Sequence, residues 1–326
     1  MIISRTPLRV SFLGGGSDLP CYYRERGGAV LSAAIDKAVY VTVSRKFDNA
    51  VRVSYSRTEE VEHAGGVEHP LVRESLGMLG IDGGVEITSV ADIPAKGTGL
   101  GSSSSFTVGL LNALHAYSGH YASAAELAEQ CCRIEIERCG EPIGKQDQYA
   151  AAFGGFNFIR FNPDDTVEVQ KVLCKPEVVT ELQSKLMFFY TGITRSASTL
   201  LREQSAQMSA SKAKTDGMAE MVALAERAFA DLCEGRIDAL GPMLHDAWQI
   251  KRSMTNGISN PLIDDAYGAA IEAGAEGGKL LGAGGGGFLM FIVPEAKQPA
   301  VRAALSNLRE TPFKFSPQGS NIIFVH

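Results

Sequence analysis

The run Lys96-Gly-Thr-Gly-Leu-Gly-Ser-Ser-Ser-Ser105 sets three alternating glycines ahead of four serines. Glycine accepts positive φ and lets the backbone approach a ligand closely. Phe106, Val108, Leu110, Leu111, Ala113 and Leu114 follow and predict a helix over 103–117. A helix opened by such a loop points unpaired N–H groups and its positive dipole end into one space. Serine hydroxyls there can bond phosphate oxygens or coordinate a hard cation. The run therefore reads as an anion-binding loop for a nucleotide, with a flexible Gly/Ser turn as the plainer alternative. Arg9 and Ser11 alternate with Leu8, Val10 and Phe12 on a predicted strand over 8–13, so they face away from its apolar side, into a cleft or into solvent. The turn Gly14-Gly15-Gly16-Ser17-Asp18 follows, and Asp147 lies near the start of a short predicted helix, 145–153.

The elements that must position these residues can be read in outline. Strands are predicted over 29–35, 39–44, 51–55, 85–90 and 156–161, with a polar loop over 56–70 and a helix beginning at His69-Pro70. Ser123-Ala-Ala-Glu126 is a capping box, and its helix is expected to run to about Arg138, carrying Glu135 and Glu137. The turn Asn162-Pro-Asp-Asp marks the expected boundary between residues 1–165 and 166–326. Beyond it a buried strand is predicted over 186–190, helices over 197–234 (broken near Thr215–Gly217), 237–254, 262–274 and 296–309, and strands over 288–293 and 321–325.

Composition narrows the class. In 326 residues the chain is 45 % hydrophobic and 21 % charged, with a net charge of −6, as expected of a soluble, well-packed protein. Its scattered Lys and Arg give no footprint for nucleic acid. No apolar run approaches membrane-spanning length, and no secretion signal precedes Arg9. The six cysteines include no CxxC pair, so neither a zinc site nor a disulfide framework is expected. A reduced, cytoplasmic enzyme fits these features.

Two glycine motifs lead nowhere. The loop at 97–105 lacks the Lys-Ser/Thr ending of a Walker A sequence. Gly282, Gly284 and Gly287 match G-x-G-x-x-G, but the strand-like Phe288-Leu-Met-Phe-Ile-Val293 follows where a dinucleotide site needs a helix.

Three segments, in order and at the right separation, resemble the GHMP kinase superfamily: Pro7-Leu-Arg9-Val-Ser-Phe-Leu-Gly14-Gly-Gly-Ser-Asp18, Gly97–Ser105, and Leu281-Gly-Ala-Gly-Gly-Gly-Gly287. Glu135 with Gly140-x-Pro-x-Gly144-x-x-Asp147-Gln148 adds a fourth, close to the galactokinase pattern. Galactokinase has Glu and His where this chain has Gly15 and Gly16, which argues against galactose. The variant turn, with Gly27-Gly-Ala-Val-Leu-Ser32 and Ile35-Asp-Lys37, is similar to D-glycero-D-manno-heptose 7-phosphate kinases, with fucokinases as near relatives. The resemblance implies a two-domain α+β fold: an N-terminal α/β domain with a left-handed βαβ nucleotide site and a ferredoxin-like C-terminal domain. It implies an ATP- and Mg²⁺-dependent sugar 1-kinase, with a catalytically inactive sugar and ATP sensor as the non-enzyme alternative.

By the same resemblance, Lys96, Gly97, Gly99, Leu100, Gly101, Ser102, Ser103 and Ser104 hold the nucleotide, and Ser103 with Glu135 (Glu137 in reserve) holds Mg²⁺. Asp147 is the base or orienter of the sugar hydroxyl, with Arg9 beside it. Gly14, Gly15, Gly16, Ser17, Gly284 and Gly285 shape the sugar site, in which Asp18 accepts hydrogen bonds from sugar hydroxyls. A phosphorylated sugar also needs a basic receptor at its far end, for which Arg195 and Lys279 are candidates, with Lys37 and Arg24 as further ones. The expected partner is a small-molecule phosphosugar, not nucleic acid or membrane, and a homodimer is the candidate assembly.

Overall fold

Leu8, Val10 and Phe12 are sealed from solvent on β1 (Ile2–Leu13), which starts earlier than the alternation predicts because Ile2–Pro7 pair with β2. The computed structural model describes residues 1–93, 97–194 and 197–326. After α1 (Pro20–Arg26), β2 (Gly28–Arg45) joins the two strands expected over 29–35 and 39–44. The charged Asp36-Lys37 step does not turn the chain; it is taken up as a bulge, where the register on β1 jumps from Pro7↔Ala38 to Arg9↔Ala34.

The expected loop over 56–70 instead holds a second strand: β3 (Val51–Ser54) forms a hairpin with β4 (Thr58–Val61). Its Thr-Glu-Glu-Val sequence lies at the sheet edge and needs no apolar alternation. Next come α2 (Pro70–Met78), β5 (Val85–Ala91), α3 (Ser102–Tyr117) and α4 (Ala124–Cys132). Ser123 caps α4 as predicted, accepting the Glu126 N–H at 3.2 Å. The helix does not run on unchanged to Arg138: residues Arg133–Arg138 widen into a π-helical turn. Then follow α5 (Gln146–Phe153), β6 (Phe156–Phe161) and β7 (Val167–Lys171). These strands form one eight-stranded sheet with the last strand of the chain, ordered β12-β1-β2-β5-β3-β4, with β6 on β2 and β7 on β6.

The second half supplies α6 (Pro176–Lys185), β8 (Leu186–Tyr190), α7 (Ala197–Ala210), α8 (Lys212–Cys233), α9 (Leu240–Met254) and α10 (Pro261–Glu272). Then come β9 (Gly277–Leu280), β10 (Phe288–Ile292), α11 (Gln298–Ala304), β11 (Arg309–Glu310) and β12 (Asn321–Val325). The helical break falls at Ser211 rather than near Thr215–Gly217, because the Thr215 hydroxyl donates back to the Met208 and Ser211 carbonyls and closes the end of α7. The helix expected over 296–309 is shortened to α11 and gives way to β11. A four-stranded antiparallel sheet, β11-β8-β10-β9, organises this half. Apolar residues of α3, α8 and α9 join those of β1, β2 and β10 in one continuous core, so the two sheets are packed together. Among the described residues no helix is long and apolar enough to cross a membrane, and no cysteine is in a disulfide.

Candidate active site

A cleft of about 690 Å³ opens between the two sheets, lined by the Gly15–Gly16 turn, residues 97–104, the start of α5, part of α7 and the Gly282–Gly286 loop. Its floor follows from the contact of two glycine loops. Gly99 has φ of +76°, and a Cβ there would overlap the Leu281 carbonyl; a Cβ on Gly282, at φ +81°, would overlap Gly99 itself. Only glycine at both positions lets the loops lie backbone to backbone.

Gly101, left-handed at φ 74°, is the N-cap of α3 and supplies no side-chain cap. The first N–H groups of this 16-residue helix therefore open onto the cleft, where Ser102, Ser103 and Ser104 also line the wall. The Thr98 and Ser102 hydroxyls are buried there with no hydrogen-bond partner among the described residues. An uncapped helix end with orphaned hydroxyls suits a polyanion such as a nucleotide phosphate chain.

Arg9 ties this loop to the start of α5. Its Nη1 donates to the Gly99 carbonyl at 2.6 Å, its Nε to Asp147 Oδ1 at 2.8 Å, and its Nη2 lies 2.7 Å from the same oxygen. Both Arg9 contacts fall on Oδ1; Oδ2 lies 3.4 Å from the Cβ position of Gly101, on the phosphate-loop side. Arg9 is buried, so the strand alternation that turned it away from the apolar face turned it into the cleft. The arrangement can hold a hydroxyl group at the carboxylate, receive its proton there, and offset negative charge with the guanidinium.

Behind the serines sits Glu135, fully buried on the π turn. It accepts from Ser103 at 3.1 Å, Ser104 at 2.7 Å, Thr107 at 3.0 Å and the Gln148 amide at 2.8 Å. Burial pushes its carboxyl up from the usual range, against these hydrogen bonds. Ser103 is exposed to the cleft and touches Glu135, so a hydroxyl and a carboxylate oxygen meet where a hard cation could be held. These two residues fit Mg²⁺, whose charge would offset that of a bound polyphosphate.

Asp18 is also buried, and its oxygens are in use: it accepts from the Gly16 N–H at 3.0 Å, the Gln146 N–H at 3.1 Å and the Gln146 amide at 3.0 Å. It caps α5 from a distance and so sets Asp147; burial raises its carboxyl pKa. Ser17 is turned inward, bonding Ala29 through both its carbonyl and N–H. Ser17, Gly14 and Gly285 do not line the cleft, whereas Gly15, Gly16, Asp18 and Gly284 do. Lys96 and Arg195 lie outside the described residues.

The further phosphate-receptor candidates are elsewhere. Lys279 is buried, donates to the Phe12 carbonyl at 2.9 Å, and is held well below the usual lysine range by burial and by Lys251 and Arg9. Lys37 pairs with Asp36, and Arg24, exposed, with Asp165. Among the described residues the lysine that does line the cleft is Lys251 of α9, which no local pattern marks, since Lys251-Arg252 looks like the cationic last turn of an ordinary helix. It donates to the Gly282 carbonyl at 2.5 Å, and burial, then the Arg9 charge, bring it down to about 8.

Two family models match the chain: GHMP kinases N terminal domain over residues 63–155 and GHMP kinases C terminal over 228–310. A D-glycero-alpha-D-manno-heptose 7-phosphate kinase of Campylobacter jejuni is 29 % identical over 91 % of each chain. A bifunctional fucokinase/GDP-fucose pyrophosphorylase of Arabidopsis thaliana is 25 % identical, matching 90 % of this chain but 30 % of its own length. The crystal structure of a D-glycero-D-manno-heptose 1-phosphate kinase from Bacteroides thetaiotaomicron superposes over the whole of both chains with a TM-score of 0.82 at 26 % identity. The two-domain α+β architecture expected from the sequence is the fold of these neighbours.

Proposed function

Because this chain belongs to the GHMP kinase family, we propose that it is a sugar kinase that moves the terminal phosphoryl group of ATP onto the anomeric 1-hydroxyl of D-glycero-D-manno-heptose 7-phosphate. The product is the 1,7-bisphosphate, a step in nucleotide-heptose biosynthesis. The observation that carries the reading is the Arg9–Asp147 pair at the mouth of the uncapped, serine-lined start of α3. Phosphoryl transfer needs positioning and charge neutralisation more than covalent chemistry, and this site offers both. ATP would lie along residues 97–104, Ser103 and Glu135 would hold Mg²⁺, and Asp147 would take the hydroxyl proton. The choice of sugar is supported by end-to-end similarity to the Campylobacter jejuni heptose 7-phosphate kinase. We further propose cytoplasmic action on a diffusible phosphosugar and a homodimeric assembly.

The test is a turnover panel with Mg²⁺-ATP and heptose 7-phosphate, heptose 1-phosphate, free heptose, L-fucose and galactose, with the product's phosphate positions read by ³¹P NMR. Heptose 7-phosphate should be consumed fastest and give a second phosphate coupled to the anomeric proton. Equal or faster use of a free sugar would replace this reading with a fucokinase-like one. That alternative has a specific support: the cleft-lining cations among the described residues are Arg9 and Lys251, and each already bonds within the protein. Turnover of none of the sugars, with ATP still bound, would favour the inactive sensor.

A further inference from the structure

Four buried polar atoms facing the cleft have no hydrogen-bond partner among the described residues, and they fall into two pairs. Thr98 and Ser102 belong to the phosphate loop. The other two, Ser11 Oγ on β1 and Gln204 Nε2 on α7, flank the Gly15–Gly16 turn. A Cβ on Gly15 would lie 3.3 Å from Ser11 Oγ, and a Cβ on Gly16, at φ +104°, would lie 2.6 Å from Gln204 Nε2. Gln204 is 2 % exposed and Ser11 4 % exposed, so neither is compensated by open solvent.

A buried donor without a partner costs about 1–3 kcal/mol, and where it faces a cleft a bound ligand can recover that cost. Asp18, the acidic group on the same wall, already accepts three donors from Gly16 and Gln146. Glycine at 15 and 16 lets the turn pass close against Ser11 Oγ and Gln204 Nε2, where side chains would crowd them, and both residues line the cleft.

We infer that Gln204 and Ser11 are the specificity-determining hydrogen-bonding groups for the sugar, with Gln204 Nε2 donating to a ring or side-chain hydroxyl oxygen and Ser11 bonding a second hydroxyl. The inference rests on the proposed sugar-kinase reading and deepens it. It adds to Asp18 one hydroxyl-recognising residue from each half of the chain, so that the sugar bridges β1 and α7. A site built to bond a hydroxyl discriminates strongly against an analogue that lacks it, because its own groups are then left unpaired.

The experiment compares the wild type with Gln204→Leu, Gln204→Glu and Ser11→Ala, using whichever sugar of the panel the wild type phosphorylates best. It reads KM for sugar and for ATP, kcat, and the unfolding midpoint with and without that sugar. Gln204→Leu should raise the sugar KM at least about tenfold, the worth of one hydrogen bond to a buried donor, and leave the ATP KM within about twofold. Its unliganded midpoint should be equal or higher, because an unpaired polar group has been removed, and the sugar-induced rise in midpoint should shrink. Gln204→Glu keeps the shape but loses the donor, and should show the same rise in sugar KM; Ser11→Ala should show a smaller one. A sugar KM unchanged in both Gln204 variants overturns the inference and leaves the kinase reading standing. So does a lowered unliganded midpoint with both KM values raised together, the mark of a structural role. A wild type that phosphorylates no sugar overturns the kinase reading, and the inference with it.

Discussion

Asp147 is given its place by residues far away in sequence: Arg9 grips one oxygen, and Asp18 fixes the helix end that carries it. Asp147→Asn should therefore reduce kcat by about a thousandfold or more, as expected for loss of a positioned proton acceptor. Nucleotide affinity measured by calorimetry should stay near that of the wild type, since the cradle is built from other groups; near-normal turnover in the variant would remove Asp147 from the chemistry. Lys251 gives a pH signature. Its native pKa of about 8 lies below the ordinary lysine value of 10.5. Between these values the unfolded chain keeps a proton that the native state has released, so this lysine makes stability rise with pH through that window. Denaturation at pH 7.5–10.5 should show a flatter rise in Lys251→Met than in the wild type, and parallel curves would show that Lys251 does not titrate in that window. Neither the Arg9–Asp147 grip nor the burial of Lys251 can be read from local patterns. A lysine at a helix end and an arginine on a strand look the same in sequence whether they face a cleft or solvent.

At the scale of elements, the glycine loops were legible because their chemistry is local: several glycines and serines in a row permit few backbones, and most of those approach a ligand or another backbone. What stayed hidden was what each loop touches. Gly99 and Gly282 lie against each other, a fact that depends on the packing of the two halves. Gly99→Ala should thus cost about 2–4 kcal/mol, from backbone overlap and a strained positive φ together. Urea unfolding checks the magnitude, and a cost below about 0.5 kcal/mol would mean that the loops can separate freely. The same dependence on long-range contacts explains the strands missed by sequence. β9 begins Gly-Gly because a Cβ on Gly278 would overlap the Met290 carbonyl on its partner strand, and those glycines erase the alternation that would announce it. β4 is a polar edge strand and gives no alternation either.

At the scale of the molecule, the turn at 162–165 joins two strands of one sheet, for β7 pairs with β6, and the last strand β12 returns to pair with β1. α8 also lies on β1 and β2. A fragment of residues 1–165 would leave the edges of β1 and β6 unpaired and bare the apolar surface under α8. It should fail to show a cooperative thermal transition by circular dichroism, in contrast to the whole chain; a sharp, reversible transition in the fragment would show that the first half folds by itself. The overall architecture was nonetheless legible through family resemblance, because the spacing of four short motifs is set by the lengths of the elements between them. Gln204 was not, because a glutamine among polar helical residues carries no local signal.

The π turn at Arg133–Arg138 has a genetic consequence. A wide turn of this kind accommodates one residue more than regular α-helical winding, and each residue of an α-helix advances the phase by about 100°. Deleting one codon within this turn would let the helix close to ordinary winding with the segments on either side kept in place, so the residues that change direction are those of the turn itself. Glu135, the third residue of the turn, is one of these and would then leave the hydroxyls of Ser103, Ser104 and Thr107, although every residue type at the site was retained. Alignments that slide a gap through this segment would miss the change, since the defect lies in winding and not in composition.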